Sequence, residues 1–220
     1  MNQIILNFGD QPKLGWSDFE VGPANQAAIE WLIKWPNWPS NGLVIHGEAG
    51  CGKTHLGRLW MSMVDAELVT PNNLACTVEQ CAGKHFLVDS IDILKSNEKL
   101  AFHLINIVKE KNGSLLVLDR EPPFNWDIDL KDLVSRLLAL SSVQIMPPDD
   151  MLLAAILATQ LKSRGNVPDL RFCKYAIDRL PRTFDAVLDF VSRIDSASLQ
   201  TKKPITFSLI KSILETAQHI

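Results

Sequence analysis

The sequence predicts an α/β fold: a parallel five-stranded sheet flanked by helices, followed by a small all-helical subdomain. Three observations carry this. Short β-prone apolar runs alternate with helical patterns through the first half of the chain, as in a parallel sheet covered on both faces. A glycine-rich octapeptide of the form G-x-x-x-x-G-K-[ST] joins the first of these runs to a helix. After Pro147-Pro148 no further strand pattern appears.

The elements follow in order. Leu43-Val44-Ile45-His46 leads straight into the glycine loop, and Lys53–Val64 reads as the helix after it. Phe86-Leu87-Val88-Asp89 and Leu115-Leu116-Val117-Leu118-Asp119 are two more strands, each ending in an aspartate. Glu67 to Thr70 and Val143 to Met146 are weaker strand candidates. Glu98–Lys111 is a helix with Leu100, Leu104, Ile107 and Val108 on one face. Beyond the Pro-Pro junction, Asp149 or Asp150 caps a helix through Leu161, because a carboxylate accepts the free N–H groups of a first turn. Gly165-Asn166 ends it. Further helices run from Pro168 to Leu180-Pro181, from Arg182 to Leu199, and from Thr206 or Phe207 to Gln218. The expected organisation is a flexible N-terminal peptide over 1–10, a nucleotide-binding α/β subdomain over 11–147 and a helical subdomain over 148–220.

The 220 residues are enough for one sizeable core plus a small subdomain. A net charge of -3 argues against a chain that coats nucleic acid through bulk electrostatics. Cys51, Cys76, Cys81 and Cys173 show no C-x-x-C pairing, so a zinc site is not expected. The N-terminal run lacks a basic leader, and no stretch reaches the ~18–20 apolar residues of a bilayer span, so the expectation is a cytoplasmic protein with no membrane contact. Trp31, Trp35 and Trp38 lie close together; packing is the ordinary reading, a partner surface the other.

Gly47-Glu48-Ala49-Gly50-Cys51-Gly52-Lys53-Thr54 carries the chemistry. Glycines let successive backbone N–H groups point inward at phosphates and leave room for their oxygens. Lys53 supplies positive charge to the β/γ oxygens, Thr54 a hydroxyl to Mg²⁺, and the helix beginning there its N-terminal dipole. The expected ligand is a nucleoside di- or triphosphate. Asp89 is the candidate for a second Mg²⁺ contact from a neighbouring strand end. The next position, acidic in an active hydrolase of this kind, is Ser90. General-base help is worth ~10²–10⁴ in rate, so intrinsic hydrolysis is expected to be weak unless Asp92 substitutes.

On these residues the chain resembles the AAA+ P-loop NTPase domain of the DnaA family of bacterial replication initiators, and more closely the Hda (HdaA) group of short, DnaA-related regulatory inactivators. Trp16-Ser17-Asp18-Phe19-Glu20-Val21-Gly22-Pro23-Ala24-Asn25 is similar to the family's adenine-wrapping segment. Leu133-Val134-Ser135-Arg136-Leu137 is similar to its box VII, whose arginine is presented to the nucleotide of an adjacent subunit. Arg179-Leu180-Pro181-Arg182-Thr183-Phe184 resembles the start of the sensor-2 helix, and Asp119-Arg120 falls at the sensor-1 strand end, where Leu118 replaces the usual small polar residue. The family's DNA-reading helix-turn-helix domain is not found before Ile220. Gln3-Ile4-Ile5-Leu6-Asn7-Phe8 resembles the peptide by which bacterial proteins dock on the β sliding clamp; a packed N-terminal strand is the alternative.

The resemblance implies a regulator of replication initiation, with Arg136 acting in trans as a catalytic finger on ATP held by DnaA. It implies ADP or ATP with Mg²⁺ at Val21, Gly22, Gly47, Gly50, Cys51, Gly52, Lys53, Thr54, His55 and Arg182, the metal touching Thr54 and Asp89. Gln3, Leu6 and Phe8 would bind the DNA polymerase III β clamp, so DNA is met only indirectly; a homodimer is a further candidate. The competing reading is an ATP-driven helicase loader or mobile-element ATPase. A docking adaptor without nucleotide is a third, disfavoured by the intact loop.

Overall fold

A computed structural model describes residues 20–80, 83–163, 170–201 and 207–217. Five strands, β1 (Gly42–His46), β2 (Glu67–Val69), β3 (His85–Val88), β4 (Ser114–Asp119) and β5 (Ser141–Gln144), form one sheet in the order β2-β3-β4-β1-β5. Every pairing is parallel. Helix α1 (Gln26–Ile33) precedes β1, and α2 (Lys53–Val64), α3 (Leu74–Gln80), α4 (Ile91–Lys95), α5 (Glu98–Glu110) and α6 (Lys131–Leu138) lie between the strands. Then α7 (Asp150–Ser163), α8 (Leu170–Ile177), α9 (Phe184–Thr201) and α10 (Phe207–Ala217) follow with no strand among them in the described residues. The fold is therefore the α/β arrangement with a five-stranded parallel sheet that the apolar runs predict.

The period-2 alternation of strands divides the interior into two cores. Along β4, Leu116 and Leu118 face one side with Leu43 and Ile45 of β1, while Leu115 and Val117 face the other with Val44, Phe86 and Val88. The first core is shared with α1, α2 and the later helices through Leu152, Leu157, Phe172, Phe184 and Val191, so the sheet and the helical part bury one continuous apolar surface. α2 reaches the sheet closely at Gly57, where a Cβ would stand 2.6 Å from Leu118 Cδ1. Trp31, Trp35 and Trp38 belong to this interior, Trp38 within the core and the other two packed against it. Trp38 stacks on Trp60 at 5.3 Å, its indole N–H donates to the Trp31 carbonyl at 2.7 Å, and that of Trp35 donates to Ser114 Oγ at 3.0 Å.

Differences from the sequence reading sit at element ends. β5 runs from Ser141 to Gln144, two residues ahead of the expected Val143–Met146. It is an edge strand in which only Val143 is buried, so its polar residues hide the apolar signal. α7 is capped by Asp149, whose Oδ1 accepts from the Leu152 N–H at 2.7 Å. α9 starts at Phe184 rather than Arg182, because Thr183 Oγ1 accepts from the Ala186 N–H at 3.2 Å and sets the cap there. No helix among the described residues is long and apolar enough to cross a membrane.

Candidate nucleotide site

The glycine loop leaves β1 at the C-terminal edge of the sheet, where β1 lies between β4 and β5 and the strand order reverses. Parallel α/β sheets bind ligands at that edge, because connections diverge there and leave a crevice. Gly50 and Gly52 take φ of 71° and 94°, a left-handed backbone that curls the loop and strains any side-chain-bearing residue. Gly47 N–H is shared between the Asp119 and Arg120 carbonyls, each at 3.2 Å, which pins the start of the loop to the end of β4. Lys53 Nζ folds back on the loop, donating to the carbonyls of Gly47 (2.7 Å) and Glu48 (2.9 Å). These are weak neutral acceptors for an ammonium that charged oxygens would satisfy better.

Thr54 and Asp89 come together as the strand ends require: Thr54 Oγ1 donates to Asp89 Oδ1 at 3.1 Å. A hydroxyl and one carboxylate, with phosphate oxygens and water completing the shell, is a fitting donor set for Mg²⁺, which keeps several waters and takes few protein ligands. Ser90 Oγ accepts from the Asp92 N–H at 3.2 Å and so caps α4. Asp92 is exposed on the first turn of α4 and does not line the cavity. Asp119 braces the same region, its carboxylate accepting from the backbone N–H of Ile91, Arg120 and Glu121.

The loop opens into a cavity of about 340 Å³, within the range that holds small ligands. Gly50, Cys51, Gly52, Lys53, Thr54 and His55 line its floor. Its far walls come from Glu20 and Asn25 before α1, Ile156 and Gln160 on α7, and Phe184, Asp185 and Leu188 on α9. Glu20 Oε1 accepts from Thr159 Oγ1 at 2.6 Å, tying that leading segment to α7. The Phe184 N–H donates to the Gly50 carbonyl at 2.9 Å, and its ring stands against Gly52, so the helical part closes directly on the loop. His55 is held below the usual imidazole value of 6.5 by burial and by Arg58. Burial likewise lowers His46 at the end of β1; Lys53 adds to the effect, while Glu121 and Asp119 oppose it.

The remaining sequence-predicted residues are spread more widely. Gly47, the first residue of the loop, does not line the cavity, and neither do Val21 and Gly22, whose neighbours Glu20 and Asn25 take the wall positions. The Gly22 N–H is engaged by Asn25 Oδ1 at 2.9 Å. Arg182 also lies off the cavity, gripping Asp150 through two hydrogen bonds of 2.7 and 3.1 Å. Each partner stabilises the charged form of the other, lowering Asp150 and raising Arg182. Arg136 is exposed in the last turn of α6, away from the cavity, with no hydrogen bond or ion pair among the described residues. Gln3, Leu6 and Phe8, like 16–19 of the adenine-wrapping segment, fall outside the described residues. Motif reading gave no role to Phe184 or Asp185, which follow Arg182 after Thr183; the position of the α9 cap sets them at the loop.

Residues 11–119 match the family described as the bacterial DnaA ATPase domain. Domain III of the Thermotoga maritima replication initiation protein DnaA superposes with a TM-score of 0.77, covering 91% of this chain and 95% of that one at 19% identity. The chain has the α/β fold of DnaA domain III, and its family match lies over residues 11–119. AMPPCP-bound DnaA from Aquifex aeolicus has the same fold, with a TM-score of 0.66, 18% identity and coverage of 81% of this chain and 64% of that one. In sequence, the chromosomal replication initiator protein DnaA of Methylacidiphilum infernorum is 23% identical over 97% of this chain and 53% of its own length. The chain thus spans about half the length of the curated initiators it matches. β1 with the glycine loop, β3 followed by Asp89, and β4 ending in Asp119 share one edge of the sheet, and the helical lid α7–α10 closes on that edge through α7 and α9.

Proposed function

We propose that this protein is a DnaA-related, nucleotide-binding negative regulator of replication initiation, of the Hda kind. It holds ADP or ATP with Mg²⁺ at Gly50–His55 and Asp89, docks on the β sliding clamp through Gln3, Leu6 and Phe8, and presents Arg136 to ATP bound by DnaA. Hydrolysis of that ATP returns the initiator to its inactive form. The reading is supported by the asymmetry between two positions. Ser90, standing where an acid would polarise water, is consumed as a helix cap and is a poor base, so the chain is ill equipped to hydrolyse its own nucleotide. Arg136 is exposed, has no hydrogen bond or ion pair among the described residues and does not line the chain's own cavity, as suits a residue offered to another molecule's phosphates.

The reaction asks little of the chain beyond placement. Phosphoryl transfer to water is accelerated by positioning and by charge stabilisation, and an arginine supplied in trans is worth ~10³–10⁵ in rate. Lys53, Thr54 and the loop N–H groups hold the resident nucleotide as a ligand that keeps the lid closed. Mg²⁺ at Thr54 and Asp89 would neutralise phosphate charge. The test is DnaA's ATPase rate with and without this protein on clamp-loaded DNA, alongside the protein's own turnover. A rise in DnaA's rate with negligible turnover alone is expected. Turnover stimulated by single-stranded DNA, without any effect on DnaA, would favour a helicase loader instead.

A further inference from the structure

Arg182 immediately precedes two residues that touch the phosphate loop. Thr183 Cβ stands 3.1 Å from where a Cβ on Gly50 would, and the Phe184 N–H donates to the Gly50 carbonyl. The backbone of Arg182 is therefore fixed at the edge of the loop, yet its guanidinium does not line the cavity. Its Nε donates to Asp150 Oδ1 at 2.7 Å and its Nη2 to Asp150 Oδ2 at 3.1 Å. This pair ties the first turn of α7 to the turn ahead of α9, the two helices that supply the lid wall of the cavity. Asp150 is not the cap of α7, because Asp149 Oδ1 accepts from the Leu152 N–H. Within the cavity, Lys53 and Arg58 are the cations and Glu20 and Asp185 the acids, so with His55 neutral these four formal charges cancel. Arg182 is a third cation, carried at the loop's edge but held outside.

We propose that Asp150 is a positioning residue for this site, a carboxylate that competes with the phosphates of a nucleotide for Arg182. The inference rests on the nucleotide reading of the loop. A guanidinium grips a carboxylate and a phosphate with the same two-pronged geometry, so Arg182 serves one of them at a time. Asp150 and Arg182 are 49% and 67% exposed at their side chains, so water already screens the pair. An exposed pair of this kind lowers nucleotide affinity by only about two- to fivefold at low salt. The effect fades as ionic strength rises.

The experiment is a double-mutant cycle. ADP affinity is measured by calorimetry, at low and high salt, for the wild-type protein, Asp150→Asn, Arg182→Ala and the two combined. Asp178→Asn is the control, since that exposed acid acts on Arg182 through charge without a hydrogen bond. Expected is an affinity that Asp150→Asn raises by about two- to fivefold at low salt, with Asp178→Asn nearly unchanged. In the Arg182→Ala background, Asp150→Asn should change nothing. An equal gain with and without Arg182 would mean that Asp150 acts on the phosphates by repulsion alone, which overturns the proposal. The melting temperature of each protein without nucleotide is recorded in parallel. If Asp150 served only as a first-turn acid or as a strut between α7 and α9, Asp150→Asn would lower that temperature and leave affinity unchanged, which also overturns it. Failure of the wild type to bind any nucleotide refutes the reading of the loop itself, and the proposal with it.

Discussion

Replacing Phe184 by Ala tests how firmly the lid is joined to the phosphate loop. Phe184 is 8% exposed and packs in the core shared by sheet and lid, with one ring edge against Gly52 and the cavity. Burying a phenyl side chain contributes about 1.5–3 kcal/mol by transfer from water. The hole left behind adds to this, and Phe→Ala substitutions in cores cost about 3–5 kcal/mol. Because one side of the ring already borders a cavity, the lower end applies, and we expect a loss of about 3 kcal/mol. Phe124, at 75% exposure, is the matched control, and Phe124→Ala should cost about 0.5 kcal/mol or less. Urea denaturation without nucleotide reads both. All six tryptophans precede the lid, so their fluorescence follows the α/β part, whereas far-UV circular dichroism also follows the lid helices. One shared core predicts coincident transitions in the wild type. A Phe184→Ala loss under about 1 kcal/mol, or wild-type transitions that separate, would refute the shared-core argument.

Lys53→Ala should weaken ADP binding at least tenfold while leaving stability nearly unchanged, since without ligand Lys53 donates only to loop carbonyls; titration with a fluorescent ADP analogue and a urea curve check both halves. In Asp89→Asn the affinity measured in Mg²⁺ should fall to that measured in EDTA, because the carboxylate that accepts from Thr54 would be the metal's charged contact. Acidification should destabilise the fold. His46, His55 and His85 are all held below 6.5, chiefly by burial, so the unfolded chain binds more protons below that pH. Stability is then full above pH 6.5 and declines as pH falls through the folded-state values; a flat urea midpoint between pH 7.5 and 5.5 would contradict this. Alanine at Gln3, Leu6 and Phe8 together should abolish capture by immobilised clamp and leave nucleotide affinity intact.

Legibility in the sequence followed burial. β1, β3 and β4 are covered on both faces, so their residues form unbroken apolar runs that announce themselves. β5, with Ser141, Ser142 and Gln144 at the edge, carries one buried side chain and was misplaced by two residues. The phosphate loop was legible because its function fixes residue types at fixed spacing: glycines at left-handed positions, then Lys53 and Thr54 at a helix start. The lid's contribution was not. Arg182 carries the right charge for phosphates, but which residue faces the loop depends on where α9 begins. Thr183 caps the helix one position after Arg182, which sends the arginine to Asp150 and turns Phe184 and Asp185 inward. A one-residue change in cap position rotates a helix by about 100°, and motif spacing does not encode that.

If the catalytic contribution is made to another protein's ATP, Arg136→Ala removes it. Arg136 is exposed and outside both the core and the nucleotide cavity, so the variant should fold, bind ADP and bind the clamp as the wild type does. Hydrolysis of ATP pre-bound to DnaA is then followed on clamp-loaded DNA with wild-type or Arg136→Ala protein. The account predicts that wild type accelerates hydrolysis and that the variant reduces the acceleration by about 10³-fold or to background. Undiminished acceleration by a folded, clamp-bound Arg136→Ala protein would contradict it.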